Sequence, residues 1–186
     1  MGVFLMLKQK KRFLYVFVLV LSLLLVSCKK NLTKEIDPSV NLQSLKNLYQ
    51  LSEDYIGENL GSDYALWGFD LAIDKKNGTE NIEFIYTKRT EPVRDVCFVR
   101  IDISNAVISS QMQSEANRLY GSDIILTVDG WTIDDIGVLL DVPCEWDRAD
   151  AETTHNNLKF RFNANDTVVY TYEIDPVSGE TVGEIG

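Results

Sequence analysis

Hydrophobic positions along the chain follow three patterns in turn before the middle becomes less regular. An almost unbroken apolar run occupies Phe13 to Val26. Its 14 residues fall short of the roughly 18 to 20 that a helix needs to cross the hydrocarbon layer. Further on, Leu42, Leu45, Leu48, Tyr49, Tyr55 and Ile56 recur at steps of three and four. That spacing predicts an amphipathic helix, with Ser39 or Asn41 as its cap and Gly57 and Gly61 beyond its end. The period then drops to two. Trp67, Phe69, Leu71 and Ile73 alternate with Gly68, Asp70 and Ala72, as in a half-buried strand. Lys75-Lys76-Asn77-Gly78 predicts a tight hairpin, and Ile82, Phe84 and Tyr86 supply the returning strand. A third strand from Asp95 to Ile103 places Cys97, Val99, Ile101 and Ile103 on one face. Val96, Phe98, Arg100 and Asp102 fall on the other.

The middle of the chain is less regular. Met112, Ala116 and Leu119 suggest a short helix ending at Gly121, and Ile124 to Val128 a strand closed by Asp129-Gly130. Thr132 with Asp135 three residues on has the form of a capping box, ahead of an apolar stripe of Ile133, Ile136, Leu139 and Leu140 that Pro143 stops. From Cys144 to Asn157 helix and loop are not separable. Leu158, Phe160 and Phe162 then alternate with Lys159 and Arg161, Asn163 to Asp166 turn the chain, and Val168, Tyr170, Tyr172 and Ile174 alternate on the way back. Pro176 to Gly179 turn it into a last short strand. The expected class is α+β: an antiparallel β-sheet meander with helices packed on one face, preceded by an N-terminal signal helix. A faint internal echo joins Val99-Arg100-Ile101-Asp102 with Ser104-Asn105 to Tyr170–Asp175 with Ser178-Gly179. Gly61-Ser62-Asp63 also recurs at Gly121-Ser122-Asp123. Neither match is long enough to establish duplication.

The apolar run gains meaning from its flanks. Lys8, Lys10, Lys11 and Arg12 precede it without an acid, as in the charged region of a secretory signal. Leu25-Val26-Ser27-Cys28 closes it and resembles a bacterial lipobox. The resemblance implies cleavage before Cys28, lipidation of its sulfur and an extracytoplasmic protein held at the cell membrane by acyl chains such as palmitate. Residues 1–28 are then a lipoprotein signal peptide, 29–38 a polar tether of about 30 Å at most, and 39–186 a single α+β domain. Lys29, Lys30 and Lys34 are placed to rest against anionic headgroups. All 28 acidic residues lie after Cys28 but 4 of the 18 basic ones lie before it, so the processed chain carries a formal charge near −14 rather than −10. Such a body repels nucleic acid and suits a basic protein partner.

Candidate chemistry is sparse. His155 is the only histidine and sits in a polar stretch, so triads and two-histidine metal sites must use it or fail. Cys97 and Cys144 have no metal-ligand spacing and are left as either a disulfide or free thiols, with Cys97 on the expected core face. Asp134-Asp135, Asp147 with Asp150 and Glu152, and Asp74 near Glu80 read as structural or solvated carboxylates, Asp134 and Asp135 in a helix first turn. No phosphate-binding glycine motif or nucleophile elbow occurs. The reading is therefore a non-enzyme without cofactor or metal. Its candidate partner-binding residues are Tyr64, Trp67, Trp131, Trp146, Asp147, Asp150 and Glu152, aromatic anchors beside acids.

Two family resemblances bear on function. Tyr170-Thr171-Tyr172-Glu173-Ile174-Asp175 with Ser178-Gly179-Glu180 resembles the closing hairpin of a PepSY domain, although Pro176 and Ser178 depart from the usual run. This implies an envelope regulatory or accessory lipoprotein. The whole layout, with Asp63-Tyr64-Ala65-Leu66-Trp67-Gly68-Phe69 opening a meander, is similar to streptococcal TipC-type immunity lipoproteins. That resemblance implies a protein that binds and neutralises a type VII-secreted LXG toxin acting on cell-wall precursors. An envelope hydrolase is the third expectation.

Overall fold

The computed structural model describes residues 32–88, 95–114, 128–154 and 157–185. The expected signal segment, Cys28, the helix through Ala116 and Leu119, most of the strand from Ile124 and the histidine His155 lie outside the described residues. Among the described residues nine strands form one antiparallel sheet in the order β1-β5-β4-β3-β2-β6-β7-β8-β9. They are β1 Thr33–Glu35, β2 Tyr64–Asp74, β3 Thr79–Lys88, β4 Asp95–Asp102, β5 Val107–Ser114, β6 Arg148–Thr154, β7 Asn157–Ala164, β8 Thr167–Ile174 and β9 Thr181–Ile185. Two helices accompany them among the described residues, α1 Leu45–Asn59 and α2 Ile136–Leu139. The molecule is mostly antiparallel sheet, broadly α+β.

Strand order reveals a repeat. A helix followed by a four-stranded meander occurs twice, α1 with β2–β5 and α2 with β6–β9, and the leading strands β2 and β6 pair antiparallel at the centre. An approximate two-fold axis therefore passes between them. The sequence echo falls at matching places, since Asp102 and Asp175 each close the third strand of a meander. Each also builds the turn that follows. Asn105 N donates to Asp102 Oδ1 at 2.9 Å, and Val177 N to Asp175 Oδ1 at 2.8 Å. Asp74 repeats the device, accepting from Asn77 N at 2.9 Å ahead of Gly78 at φ +63°. The carboxylate expected beside Glu80 is thus a turn residue. These backbone donors hold the Asp74 and Asp175 carboxyls below the usual carboxylate range.

Apolar side chains of both meanders point to one face, where Phe69, Leu71, Phe84, Val99, Phe160 and Phe162 form a continuous core with Leu45, Leu48, Ile136 and Leu139 from the helices. Helix α1 buries Leu45, Leu48, Ser52, Tyr55 and Ile56, close to the stripe read from the sequence. Its ends differ from the expectation. Ser44, not Ser39 or Asn41, is the cap and accepts from Asn47 N at 3.2 Å, and Gly57 lies inside the helix. Asn41 instead holds Gln43 N at 3.0 Å in the turn before it.

No acid of its own lies in the first turn of α1, and the missing carboxylate arrives from the other half. Asp134 Oδ1 accepts from Ser44 Oγ at 2.8 Å and from Lys46 N at 2.9 Å, and its carbonyl accepts from Leu45 N at 2.7 Å. Ile136 N donates to Gln43 O at 3.0 Å in return. Asp134 therefore caps α1 rather than its own helix. Asp135 is the cap of α2 and accepts from Gly137 N at 2.7 Å. Thr132, expected as that cap, donates through its backbone N to Pro176 O at 2.9 Å and fastens the β8–β9 turn.

Three further expectations need correction. Met112 lies in β5, where the edge pairing of β4 demands a strand, not in a helix. Residues after Cys144 resolve into β6, whose small Ala149 and Ala151 face the core. Residues 33–36 of the expected tether 29–38 belong to the fold, because Thr33–Glu35 pair with Val107–Ser109 and Ile36 is buried. Lys34 accordingly sits 3.0 Å from Glu58 of α1, committed to an ion pair within the domain.

Candidate functional site

The face of the sheet opposite the helices carries a row of charged residues, while Ile85 and Val96 are buried on it farther along β3 and β4. Cross-strand register sets Arg100, Glu83, Asp70, Glu152, Lys159 and Glu173 side by side on six neighbouring strands, β4-β3-β2-β6-β7-β8. Three carboxylates thus occupy the centre, with a cation on either side. Their outer members are neutralised. Arg100 Nη2 lies 3.1 Å from Glu83, and Arg161, one step along β7, pairs with Glu152. Arg148 holds Asp150 at 2.9 Å in the same way. The Asp70 carboxylate makes no hydrogen bond or ion pair among the described residues. Loss of water between the crowded strands, and then the charges of Glu83 and Glu152, push its carboxyl up to about 6, although the side chain still reaches solvent. A shallow cleft of about 230 Å³ opens here, lined by Asp70, Ala72, Asp150, Glu152, Lys159 and Arg161.

A second concavity lies on the helix side. The segment around α2 stands off from β8 and β9 and leaves a groove of about 260 Å³, lined by Ile133, Val138, Leu139, Val142, Tyr170 and Tyr172, with Asp141 and Glu184 also lining it. The hydroxyls of both tyrosines are committed. Tyr172 donates to Leu139 O, fixing α2 to the sheet, and Tyr170 donates to Glu184, which with lesser desolvation pushes the phenol up to about 12.

The residues proposed from sequence do not converge. Trp131 is a core residue, 4 % exposed, with its ring 5.6 Å from Phe69. Trp146 packs edge-on against Phe162 at 5.4 Å with Lys75 Nζ 3.4 Å over its ring. Asp147 is structural, pinning the β7–β8 turn by accepting from Asn165 N at 3.0 Å. Tyr64 is half-buried at the start of β2, its hydroxyl 4.0 Å from Met112 Sδ. Trp67 is also half-buried and stands at a β-bulge, the shift between Leu66 and Gly68 having moved Leu66 into the core position that alternation gave to Trp67. Only Asp150 and Glu152 reach the open face together. The central row of that face was missed, since Asp70, Glu83, Arg100 and Lys159 become neighbours only through the β2–β6 pairing.

Both thiols are free. Cys97 is buried on the core face of β4, and burial pushes it up to about 12. Cys144 lies before β6 and close enough to Tyr170 of β8 to act on its charge. Five strand spacings of about 4.8 Å separate β4 from β8, on the order of 20 Å and far beyond disulfide reach. Among the described residues no group of three His, Cys, Asp or Glu side chains stands close enough to hold a metal ion. Comparison with known proteins gives no matching family model, no matching curated protein and no matching solved structure.

Proposed function

We propose that this chain is a membrane-anchored extracytoplasmic lipoprotein that binds and neutralises a protein partner, an immunity protein against a secreted antibacterial toxin of the LXG type. The observation that carries the reading is the charged row on the sheet face opposite the helices, with the Asp70 carboxylate unpaired among the described residues between two others. A protein surface offering an arginine or lysine at its centre satisfies Asp70 and relieves the repulsion from Glu83 and Glu152, while Arg100 and Lys159 fix the register. Such an arrangement serves recognition rather than turnover. The ion-paired neighbours are already held in place, so little ordering is required on binding. Lipidation at Cys28 leaves four residues to Leu32, at most about 14 Å of chain, so the domain works against the membrane where a toxin of cell-wall precursors acts.

The test is capture of proteins secreted by the same strain on the full chain in detergent micelles, followed by a toxicity assay. A captured toxin whose activity falls with added chain supports the reading, and a toxin that binds without losing activity sinks it. One observation favours a second reading, an envelope hydrolase. Asp70, at about 6, stands beside Glu152 in a cleft, as an acid and a carboxylate partner would. Release of sugars or peptides from cell-wall material that stops on Asp70→Asn would establish it instead.

A further inference from the structure

The outer edges of the two meanders are treated differently. In the first, β5 is covered by β1, whose Thr33–Glu35 pair with Val107–Ser109. Ile36 then tucks under the edge, 7 % exposed, and Lys34 meets Glu58 of α1 at 3.0 Å. The fold thus shows on itself what covers such an edge: a short extended segment with an apolar residue and a lysine. Its two-fold counterpart is β9, the last strand of the sheet. Its outer edge has no partner strand among the described residues, and all five of its residues are exposed.

An uncovered edge normally carries charge or proline against unwanted pairing. Here Glu184 supplies one charge, but Val182 is 57 % exposed and Ile185 75 % exposed. Val138 of α2, 66 % exposed, lines the adjoining groove, where Glu184 and Asp141 add negative charge. Glu184 faces the groove with Tyr172, and Ile185, opposite Thr171, faces the other side of the sheet, so the edge offers acids on one face and an apolar side chain on the other.

We infer that β9 and its groove form a strand-addition site for an extended segment of the protein partner in which apolar residues alternate with lysine or arginine. The segment adds to β9 by backbone hydrogen bonds, sets its cations into the groove against Glu184 and Asp141, and turns its alternate, apolar residues to the other face beside Ile185. A second copy of the chain fits poorly. Pairing β9 with itself brings Glu184 toward Glu184 across the two-fold and joins chains that each hold, after Cys28, 28 acidic against 14 basic residues. The inference rests on the binder reading for its partner but on β9 for its site.

The experiment is amide hydrogen exchange on the full chain in detergent micelles, with a short synthetic peptide alternating valine and lysine as probe. The expected result is protection of residues 181–185 raised by about tenfold, lost in the Val182→Lys, Ile185→Lys double variant at unchanged Tm, and absent with a valine–glutamate peptide. Equal protection by both peptides, protection confined to the charged face, or protection that grows with chain concentration alone would overturn it. Capture of secreted protein separates the two proposals. If the double variant retains the captured protein, the edge is not the partner's site while the binder reading stands. If the peptide docks on β9 and no secreted protein is captured, the binder reading falls and the strand-addition site remains.

Discussion

At the scale of single residues, two buried or crowded groups set measurable properties. Asp70 holds its proton up to about 6, above the ordinary aspartate value near 3.9. The folded state therefore binds this proton more tightly than the unfolded chain. Its contribution favours folding fully below about pH 4 and is lost as pH rises through about 6. Asp70→Asn should raise Tm by about 1 to 3 °C at pH 7.5 and leave it unchanged at pH 4, as calorimetry at both values will show. Ser52 and Tyr86, both fully buried, join α1 to β3 through hydroxyls 2.5 Å apart. Ser52 Oγ donates to Tyr49 O, so Tyr86 supplies the proton between them. Burial holds that phenol well above its usual range. Tyr86→Phe should cost about 1 kcal/mol in urea unfolding.

At the scale of elements, the bulge in β2 and the cap of α1 carry the next predictions. A Cβ on Gly68 would lie 2.5 Å from Thr153 Oγ1, so Gly68→Ala forces β2 and β6 apart where the halves join. It should cost about 1 to 3 kcal/mol, and Thr153→Ala in the same chain should recover most of that loss in chemical denaturation. Asp134→Ala strips the acceptor from Ser44 Oγ and Lys46 N, and a loss of about 2 kcal/mol is expected. Much of this level was legible in sequence. Strands β3, β4, β7 and β8 follow from alternation, because each puts an apolar row on the core, although Ile85 and Val96 are buried on the other face and Val168 is exposed. The bulge at Trp67 was not legible, since one extra residue reverses a face without leaving a pattern. Nor was β6, whose core positions are alanines, too small to mark a period.

At the scale of the molecule, what escaped the sequence was the pairing of β2 with β6. Two meanders could be read, but not that their first strands meet, and that contact alone brings Asp70 beside Glu152 and completes the row from Arg100 to Glu173. The repeat was audible only in its turns, where Asp102 and Asp175 perform one task at equivalent places. The same contact accounts for the division of labour between edges. Strand β1, nearest the expected anchor, and β9 lie at opposite ends of nine strands, about 38 Å apart at 4.8 Å per spacing. The proposed tether, at one end, would leave the other free to meet the proposed partner. The most direct test of the central claim is capture of secreted protein on the wild-type full chain and on the Asp70→Asn, Glu83→Gln, Glu152→Gln variant. The account predicts one basic protein held by the wild type, released by moderate salt and absent from the variant. Equal capture by both chains, or none by the wild type, would contradict it.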